Sequence, residues 1–213
     1  MSDDDKKVFI SYRRALSSGF ARSVYQHLTG KGYDAFMDVE SLDSGEFRRI
    51  ILGQIKARPH FLALLTPGAL VRTQNADDWM RQEIEHALEL GRNVVPLLGD
   101  RFTFEEEQAK LPGGRFPGQL GRLPDMNAIN VYWEYFDEAM GRLTKRFLRQ
   151  PAHGPLVPTP AAERAVVQRL IENAARAQPG PGGRDWQWLS KTALSAPKLE
   201  LAKDTPPGKR VWK

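Results

Sequence analysis

The chain has 213 residues, enough for one compact domain with an appended segment or for two small domains. Its composition is 41% hydrophobic and 27% charged, and no apolar run reaches the ~18 residues that would span a bilayer, which excludes a membrane-spanning helix. It contains no cysteine, which excludes disulfides and cysteine-ligated metal sites, and no apolar signal segment follows Met1 to Lys7, so we expect a cytoplasmic location.

The net charge of +5 does not indicate a nucleic-acid-binding face. The first 150 residues carry 21 Lys and Arg against 21 Asp and Glu, whereas residues 151–213 carry ten against five. A nucleic-acid-binding surface normally clusters its positive charge, and here the excess is spread over one segment. We therefore expect no nucleic-acid partner.

Short apolar runs alternate with amphipathic stretches over residues 1–150. The runs predict strands, and the stretches of helical period predict helices. The strands are expected at 8–10, 33–37, 61–65, 94–98 and 128–133, and the helices at 20–28, 47–55, 77–90 and 136–148. Gly30 and Gly32 are stop signals for the first helix, and Gly91 closes the third.

Strands that are apolar throughout, each followed by a helix, indicate a parallel sheet covered on both faces. The predicted fold class is therefore α/β, with a flavodoxin-like, doubly wound, five-stranded parallel sheet. In such folds ligands bind at the carboxyl ends of the strands, near the point where the strand order reverses. The loops expected to form the site are those at 11–18, 38–46 and 66–78.

Residues 151–213 form a Pro/Gly-rich extension, which holds nine of the fifteen prolines. One helix is predicted in it, at about 161–177. Its expected apolar face consists of Val166, Leu170, Ala174 and Ala177. Beyond it, the three tryptophans at 186, 188 and 212 are too apolar for a purely solvating tail. We expect the extension to dock either on the first domain or on another domain or protein.

Several common catalytic signatures are absent from the sequence. It has no Walker-type phosphate loop, no G-x-G-x-x-G and no G-x-S-x-G. The four histidines at 27, 60, 86 and 153 lack the spacing of metal ligands. We therefore predict no metal site, no hydrolase triad and no bound cofactor.

The helix predicted at 77–90 carries the most informative carboxylate. Its buried face is formed by Met80, Ile84, Ala87, Leu88 and Gly91. Trp79 and Glu83 are four residues apart, so they are neighbours on the border of that face. A carboxylate in that position would be partly desolvated and held in place. The alternative is that Glu83 is one of several solvated acids, alongside Glu85 and Glu89, and periodicity does not decide between the two.

Five blocks of sequence resemble those of TIR domains, in the same order. They are Val8–Arg14, Gly32–Phe47, Pro67–Leu70 with Asp78–Ile84, Gly91–Pro96, and Trp133–Leu148. They resemble, in turn, the first strand, the second strand with the BB loop, the loop after the third strand with the helix that carries the TIR glutamate, the fourth strand, and the last helix. The likeness is greatest to NAD-hydrolysing TIR domains, those of bacterial defence proteins and of the axon-degeneration NADase.

The resemblance implies a role for individual residues. Glu83 matches the catalytic glutamate, and Trp79 matches an aromatic wall of the nicotinamide–ribose pocket. First-strand positions facing the site are matched by Phe9, Tyr12, Arg13 and Arg14, with the arginines suited to NAD phosphates. BB-loop positions are matched by Asp43, Gly45 and Phe47, and Asp43 departs from the family's pattern because glutamate is common there. For Phe9 and Tyr12, plain core packing is the alternative.

The function implied by the resemblance is NAD+ glycohydrolysis, which releases nicotinamide and either ADP-ribose or a cyclic ADP-ribose. NAD+ is then a substrate and no cofactor is needed. In such TIR domains the BB loop of a neighbouring copy often completes the site, so activation by self-association is expected, in bacterial defence or toxicity.

Two other functions are alternatives to this enzyme. The first is a non-catalytic TIR–TIR adaptor or host-mimicking effector. Glu83 with Trp79 four residues before it favours the enzyme, because many animal TIR adaptors lack that glutamate. The second is a nucleotide-binding response domain, which needs clustered acids after the first strand, where Ser11-Tyr12-Arg13-Arg14 stands.

Overall fold

The computed structural model describes residues 4–37, 45–99 and 101–176, without the side chains of residues 45–47. Five parallel strands form one sheet in the order β2-β1-β3-β4-β5. They are β1 (Lys7–Tyr12), β2 (Asp34–Met37), β3 (His60–Leu65), β4 (Asn93–Gly99) and β5 (Ile129–Val131). This strand order confirms the predicted flavodoxin-like α/β class.

The sheet is covered by helices on both faces. They are α1 (Arg14–Gly30), α2 (Gly45–Ala57), α3 (Trp79–Glu89), α4 (Phe104–Ala109), α5 (Phe136–Lys145) and α6 (Arg164–Arg176). Short 3-10 segments lie at 4–6, 71–74, 112–114, 118–125, 133–135, 147–149 and 161–163. In the described part of the chain, no helix is both long and apolar enough to cross a membrane.

Helix α4 was not predicted from the sequence, although the chain carries a start signal for it. Thr103 is the N-cap of this helix, because its side chain accepts a hydrogen bond of 3.2 Å from the backbone N–H of Glu106, the third helical residue. Three glutamates in the first turn, at 105–107, also favour a helix start electrostatically. With only six residues, this helix is too short to show a hydrophobic period.

Alternation along β1 divides the core into two clusters. Val8 and Ile10 pack with residues of α1 and α5 on one face of the sheet, whereas Phe9 packs with residues of α2 and α3 on the other. Successive strand residues point to opposite faces, so β1, β2, β3 and β4 contribute to both clusters, whereas the buried residues of β5 belong to the α1-side cluster. Ser11 continues this alternation and points to the α3 side, the same side as Phe9.

The described part of the extension, residues 151–176, packs on the domain. The backbone N–H of His153 donates to Gly91 O (2.8 Å), that of Val157 donates to Lys56 O (3.0 Å), and Arg92 Nη2 donates to Pro155 O (2.7 Å). Together, residues 151–163 form a strap that crosses from the end of α3 to α2.

Helix α6 follows the strap and packs against β2. Leu170 and Ala174 are buried as predicted, but Val167, and not Val166, completes the buried face. Val167 and Leu170 belong to the cluster on the α2 side, and Ala174 belongs to the cluster on the α1 side. Residues 177–213, with the three tryptophans discussed above, lie outside the described residues.

Candidate active site

Glu83 lies at the carboxyl ends of β1 and β3, where the strand order reverses. Its side chain is buried, 4% exposed, and its Oε2 accepts a hydrogen bond of 2.6 Å from Ser11 Oγ near the end of β1. Along the same helix Glu85 is half-buried and Glu89 is exposed. Glu83 is therefore not one of several solvated acids. It is a desolvated carboxylate whose direction is set by a short, charge-assisted hydrogen bond.

The start of α3 places Trp79 beside Glu83. Asp78 is the N-cap of the helix, and its side chain accepts the backbone N–H of Arg81 at 3.1 Å. Trp79 is thus the first helical residue, and its half-buried ring packs against the α3-side core. Residues four apart on a helix are neighbours, so the indole and the Glu83 carboxylate share one side of α3. The guanidinium of Arg48 lies over the indole, 5.4 Å from the ring centroid.

Arg13 has a different position from the one the resemblance implied. Its Nη1 and Nη2 contact the two carboxylate oxygens of Asp78 at 2.7 and 3.0 Å, and Nε and Nη2 donate to Ala69 O at 3.1 and 2.8 Å. The Arg13 side chain is 12% exposed and that of Asp78 is 2% exposed. All three guanidinium nitrogens are engaged, so Arg13 clamps the loop after β3 to the start of α3 and is not presented to a substrate phosphate.

Glu107 holds the same loop from the other side, and no sequence signal identified it. Its two carboxylate oxygens accept the backbone N–H of Gly68 at 2.7 and 3.1 Å, and Lys110 Nζ lies 3.3 Å from Oε1. Glu107 is 1% exposed, and Gly68 has a φ of +90°, a conformation that favours glycine. The turn that contains Ala69 is therefore fixed between Glu107 and Arg13.

The other predicted positions divide into three groups. Phe9 has no exposed surface, because its ring is stacked with those of Phe36 (5.5 Å) and Phe61 (5.4 Å), as the core-packing alternative required. Tyr12 ends β1 half-buried against the cluster on the α1 side, and Arg14 begins α1 half-buried.

Asp43, Gly45 and Phe47 form the third group. Asp43 lies outside the described residues. The backbones of Gly45 and Phe47 lie in the first turn of α2, and the Phe47 side chain lies outside the described part of the structure. The roles that the resemblance assigns to these three residues therefore stay predictions.

A cavity of about 610 Å³ lies at the opposite end of the sheet from Glu83. It is lined by His60 at the start of β3, by Arg149, and by strap residues from Pro151 to Leu156. Burial lowers the pKa of His60, whose Nε2 contacts Asp5 O at 2.9 Å. Within residues 4–37, 45–99 and 101–176 there is no group of three or more His, Asp or Glu side chains arranged to hold a metal ion.

Comparison with known proteins decides the family. The sequence pattern of the TIR domain matches residues 8–143, well over half of the chain. The chain belongs to the TIR-domain family. Glu83, which the resemblance matches to the catalytic glutamate of NAD-hydrolysing TIR domains, lies on α3 of this TIR domain.

Two curated relatives of this TIR domain are named NAD(+) hydrolases. The chain is 32% identical over 184 residues to NAD(+) hydrolase sarm1 of Drosophila melanogaster, which covers 83% of this chain and 13% of that protein. It is 30% identical over 141 residues to NAD(+) hydrolase tir-1 of Caenorhabditis elegans, covering 65% of this chain and 14% of that protein. The chain thus spans about a seventh of the length of these relatives.

Among solved structures, a TIR-STING receptor of C. gigas aligns with a TM-score of 0.45 and 16% identity. The alignment covers 68% of this chain and 39% of that one.

Proposed function

We propose that this TIR domain is an NAD+ glycohydrolase that cleaves the bond between nicotinamide and ribose with Glu83. The observation that carries the proposal is the buried Glu83 carboxylate, bonded to Ser11 Oγ at 2.6 Å, next to Trp79 at the carboxyl ends of β1 and β3. The names of the curated relatives support the same reaction.

One fixed carboxylate is sufficient for this chemistry. When the C–N bond breaks, its electron pair goes to the pyridinium nitrogen, so nicotinamide leaves as a neutral molecule and needs no proton. The ribose carbon becomes oxocarbenium-like, and a preorganised anion facing it stabilises the developing positive charge. Water then attacks that carbon and loses a proton, which gives ADP-ribose. Attack by the adenine ring of the same molecule would give a cyclic product.

Each residue of the site has a distinct part in this proposal. The Ser11 hydroxyl fixes the direction of the Glu83 carboxylate, and the Trp79 ring forms one wall for the planar nicotinamide. The clamp of Arg13 and Asp78 holds the start of α3 against the loop after β3, which keeps Trp79 and Glu83 at the end of the sheet. The protein therefore positions the substrate and supplies the negative charge, whereas nicotinamide leaves without help from a protein acid.

The test is nicotinamide release from NAD+ by the purified protein, measured by chromatography, alongside Glu83→Gln and the control Glu89→Gln on the exposed side of the same helix. Glu83→Gln should lower the rate by about 10²–10³-fold, as for other preorganised groups, and Glu89→Gln should leave it unchanged. The second product identifies hydrolysis or cyclisation. If the wild type releases no nicotinamide even at high concentration, the enzyme proposal fails and a TIR–TIR adaptor or host-mimicking effector becomes the better function.

Activation by self-association, and a role in bacterial defence or toxicity, belong to the same proposal. They are supported by the resemblance to NAD-hydrolysing TIR domains, in which the BB loop of a neighbouring copy often completes the site. Specific activity should then rise with protein concentration. A specific activity that is constant over a hundredfold dilution series would contradict activation by self-association and leave the chemistry at Glu83 untouched.

A further inference from the structure

A dinucleotide substrate brings two negatively charged phosphates to a site where Arg13 is already engaged. Arg13 uses all three guanidinium nitrogens on Asp78 and Ala69. Releasing it to bind phosphate would leave the Asp78 carboxylate, 2% exposed, without this partner, which is costly for a buried charge. The cation that meets the phosphates is therefore not Arg13.

Arg48 is placed to supply that charge. It lies in the first turn of α2, and its guanidinium carbon is 5.4 Å from the centre of the Trp79 ring. Trp79 in turn is four residues before Glu83 on α3, so Arg48 covers the aromatic ring that is proposed as the nicotinamide wall beside Glu83. A cation in this position is attracted to the ring face, and the contact holds Arg48 at the site when no substrate is bound.

The same contact cannot persist when NAD+ binds. The nicotinamide ring of NAD+ is itself a cation, and it would compete with the guanidinium for the Trp79 face. Two positive charges side by side repel, and the ribose centre gains positive charge as the bond breaks. Arg48 must leave the ring, and the pyrophosphate of the same substrate is a favourable partner for a guanidinium, which can bind it through two parallel hydrogen bonds.

We propose that Arg48 binds the pyrophosphate of the dinucleotide, and that its contact with Trp79 is the resting position from which the substrate displaces it. This proposal rests on the function proposed above, and it names the substrate class of the site: phosphate-containing nicotinamide nucleotides in preference to nicotinamide riboside. Arg48 is in this sense a specificity-determining residue that binds the phosphates, whereas Glu83 acts on the nicotinamide–ribose bond.

The kinetic test compares NAD+ with nicotinamide riboside, which has the same scissile bond and cationic ring but no phosphate. Arg48→Ala should raise KM for NAD+ on the order of 10- to 100-fold with little change in kcat, and it should leave KM for the riboside unchanged or lower. Arg48→Lys, which keeps a charge without the planar fork, should lie between. The matched control is Arg72→Ala, because Arg72 is 77% exposed and lies 3.9 Å from Asp78 without covering Trp79.

A binding measurement keeps this proposal separate from the catalytic one. ADP-ribose carries the pyrophosphate without the nicotinamide, and calorimetric titration measures its binding whether or not the protein cleaves NAD+. Weaker binding of ADP-ribose to Arg48→Ala, with unchanged binding to Arg72→Ala, would support the proposal even if no nicotinamide were released. Equal losses in both arginine variants, equal losses for NAD+ and the riboside, or no binding of ADP-ribose to the wild type would overturn it.

Discussion

Replacing Ser11 by alanine tests whether the direction of the Glu83 carboxylate matters for catalysis. The change removes the 2.6 Å hydrogen bond between Ser11 Oγ and Glu83 Oε2 and almost nothing else, because the two side chains differ by one oxygen atom. Both residues are buried, at 1% and 4% exposure, so water does not readily replace the lost donor. A hydrogen bond to a charged group contributes about 1.5–3 kcal/mol. Because about 1.4 kcal/mol corresponds to a factor of ten, kcat/KM for NAD+ should fall roughly 10- to 100-fold.

The assay is steady-state nicotinamide release, with a matched serine as its control. The Ser18 hydroxyl on α1 is buried, and within the described parts of the chain it has no hydrogen-bond partner. Ser18→Ala therefore removes the same oxygen without breaking a bond, and it should leave kcat/KM unchanged. If Ser11→Ala retains activity within about twofold of the wild type while Glu83→Gln is inactive, the hydrogen bond does not position the carboxylate and this reasoning is wrong.

Three further predictions follow from other contacts. Leu170→Ala should lower the free energy of unfolding, measured by urea denaturation, by about 2–3 kcal/mol. This is the lower part of the range for buried leucines, because α6 lies at the periphery and can partly collapse into the space left by the side chain. Burial lowers the pKa of His60 below 6.5, so the stability that neutral His60 contributes should be complete above about pH 6.5 and lost as pH falls through the folded-state pKa. The Tm measured from pH 8 to 5 should therefore fall more for the wild type than for His60→Gln. Glu107→Gln replaces a charged hydrogen-bond acceptor by a neutral one at the loop after β3. The weaker hydrogen bond should cost about 1 kcal/mol and lower kcat/KM roughly fivefold in the nicotinamide assay.

Each of these three changes has a control or a contrary outcome. Arg169→Ala, exposed on the same helix as Leu170, should leave the unfolding curve unchanged, and a Leu170→Ala loss below about 0.5 kcal/mol would mean that α6 does not pack as described. Identical Tm profiles for wild type and His60→Gln would remove His60 as a source of acid sensitivity. Glu105 is exposed and lies two residues before Glu107. If Glu105→Gln lowered kcat/KM as much as Glu107→Gln, the effect would come from net charge and not from the contact with the loop.

The elements that position the site could be predicted because their sequences carry strong periodic signals. The continuous apolar runs of β1 and β3 predicted a parallel sheet, and the spacing of Met80, Ile84 and Ala87 placed Glu83 on the border of a buried helix face. The helix begins at Trp79, two residues after the predicted start, because Asp78 serves as the cap. The family resemblance then identified Glu83 among the acids of that helix, which periodicity alone could not do.

The contacts between distant residues could not be predicted. Ser11 and Glu83 are 72 residues apart in the chain, and a serine near the end of a strand has no pattern that marks it as the partner of a carboxylate. The resemblance implied that Arg13 is a phosphate ligand, but in the structure it forms a clamp with Asp78, which is 65 residues away in the chain. Glu107 is one of three consecutive glutamates, and only the fold distinguishes the buried one from its exposed neighbours.

The packing of α6 on β2 also limits how copies of this domain can join. β2 is the outermost strand next to β1, and an uncovered strand in that position would offer its backbone groups to a strand of another molecule. Here α6 lies against it, with Arg22 of α1 donating to the carbonyls of Ala174 and Ala175 at the end of that helix. Growth of a continuous intermolecular β-sheet from this strand would first require α6 to detach. Association that leaves the domain folded as described therefore cannot extend the sheet from β2 into a neighbouring copy.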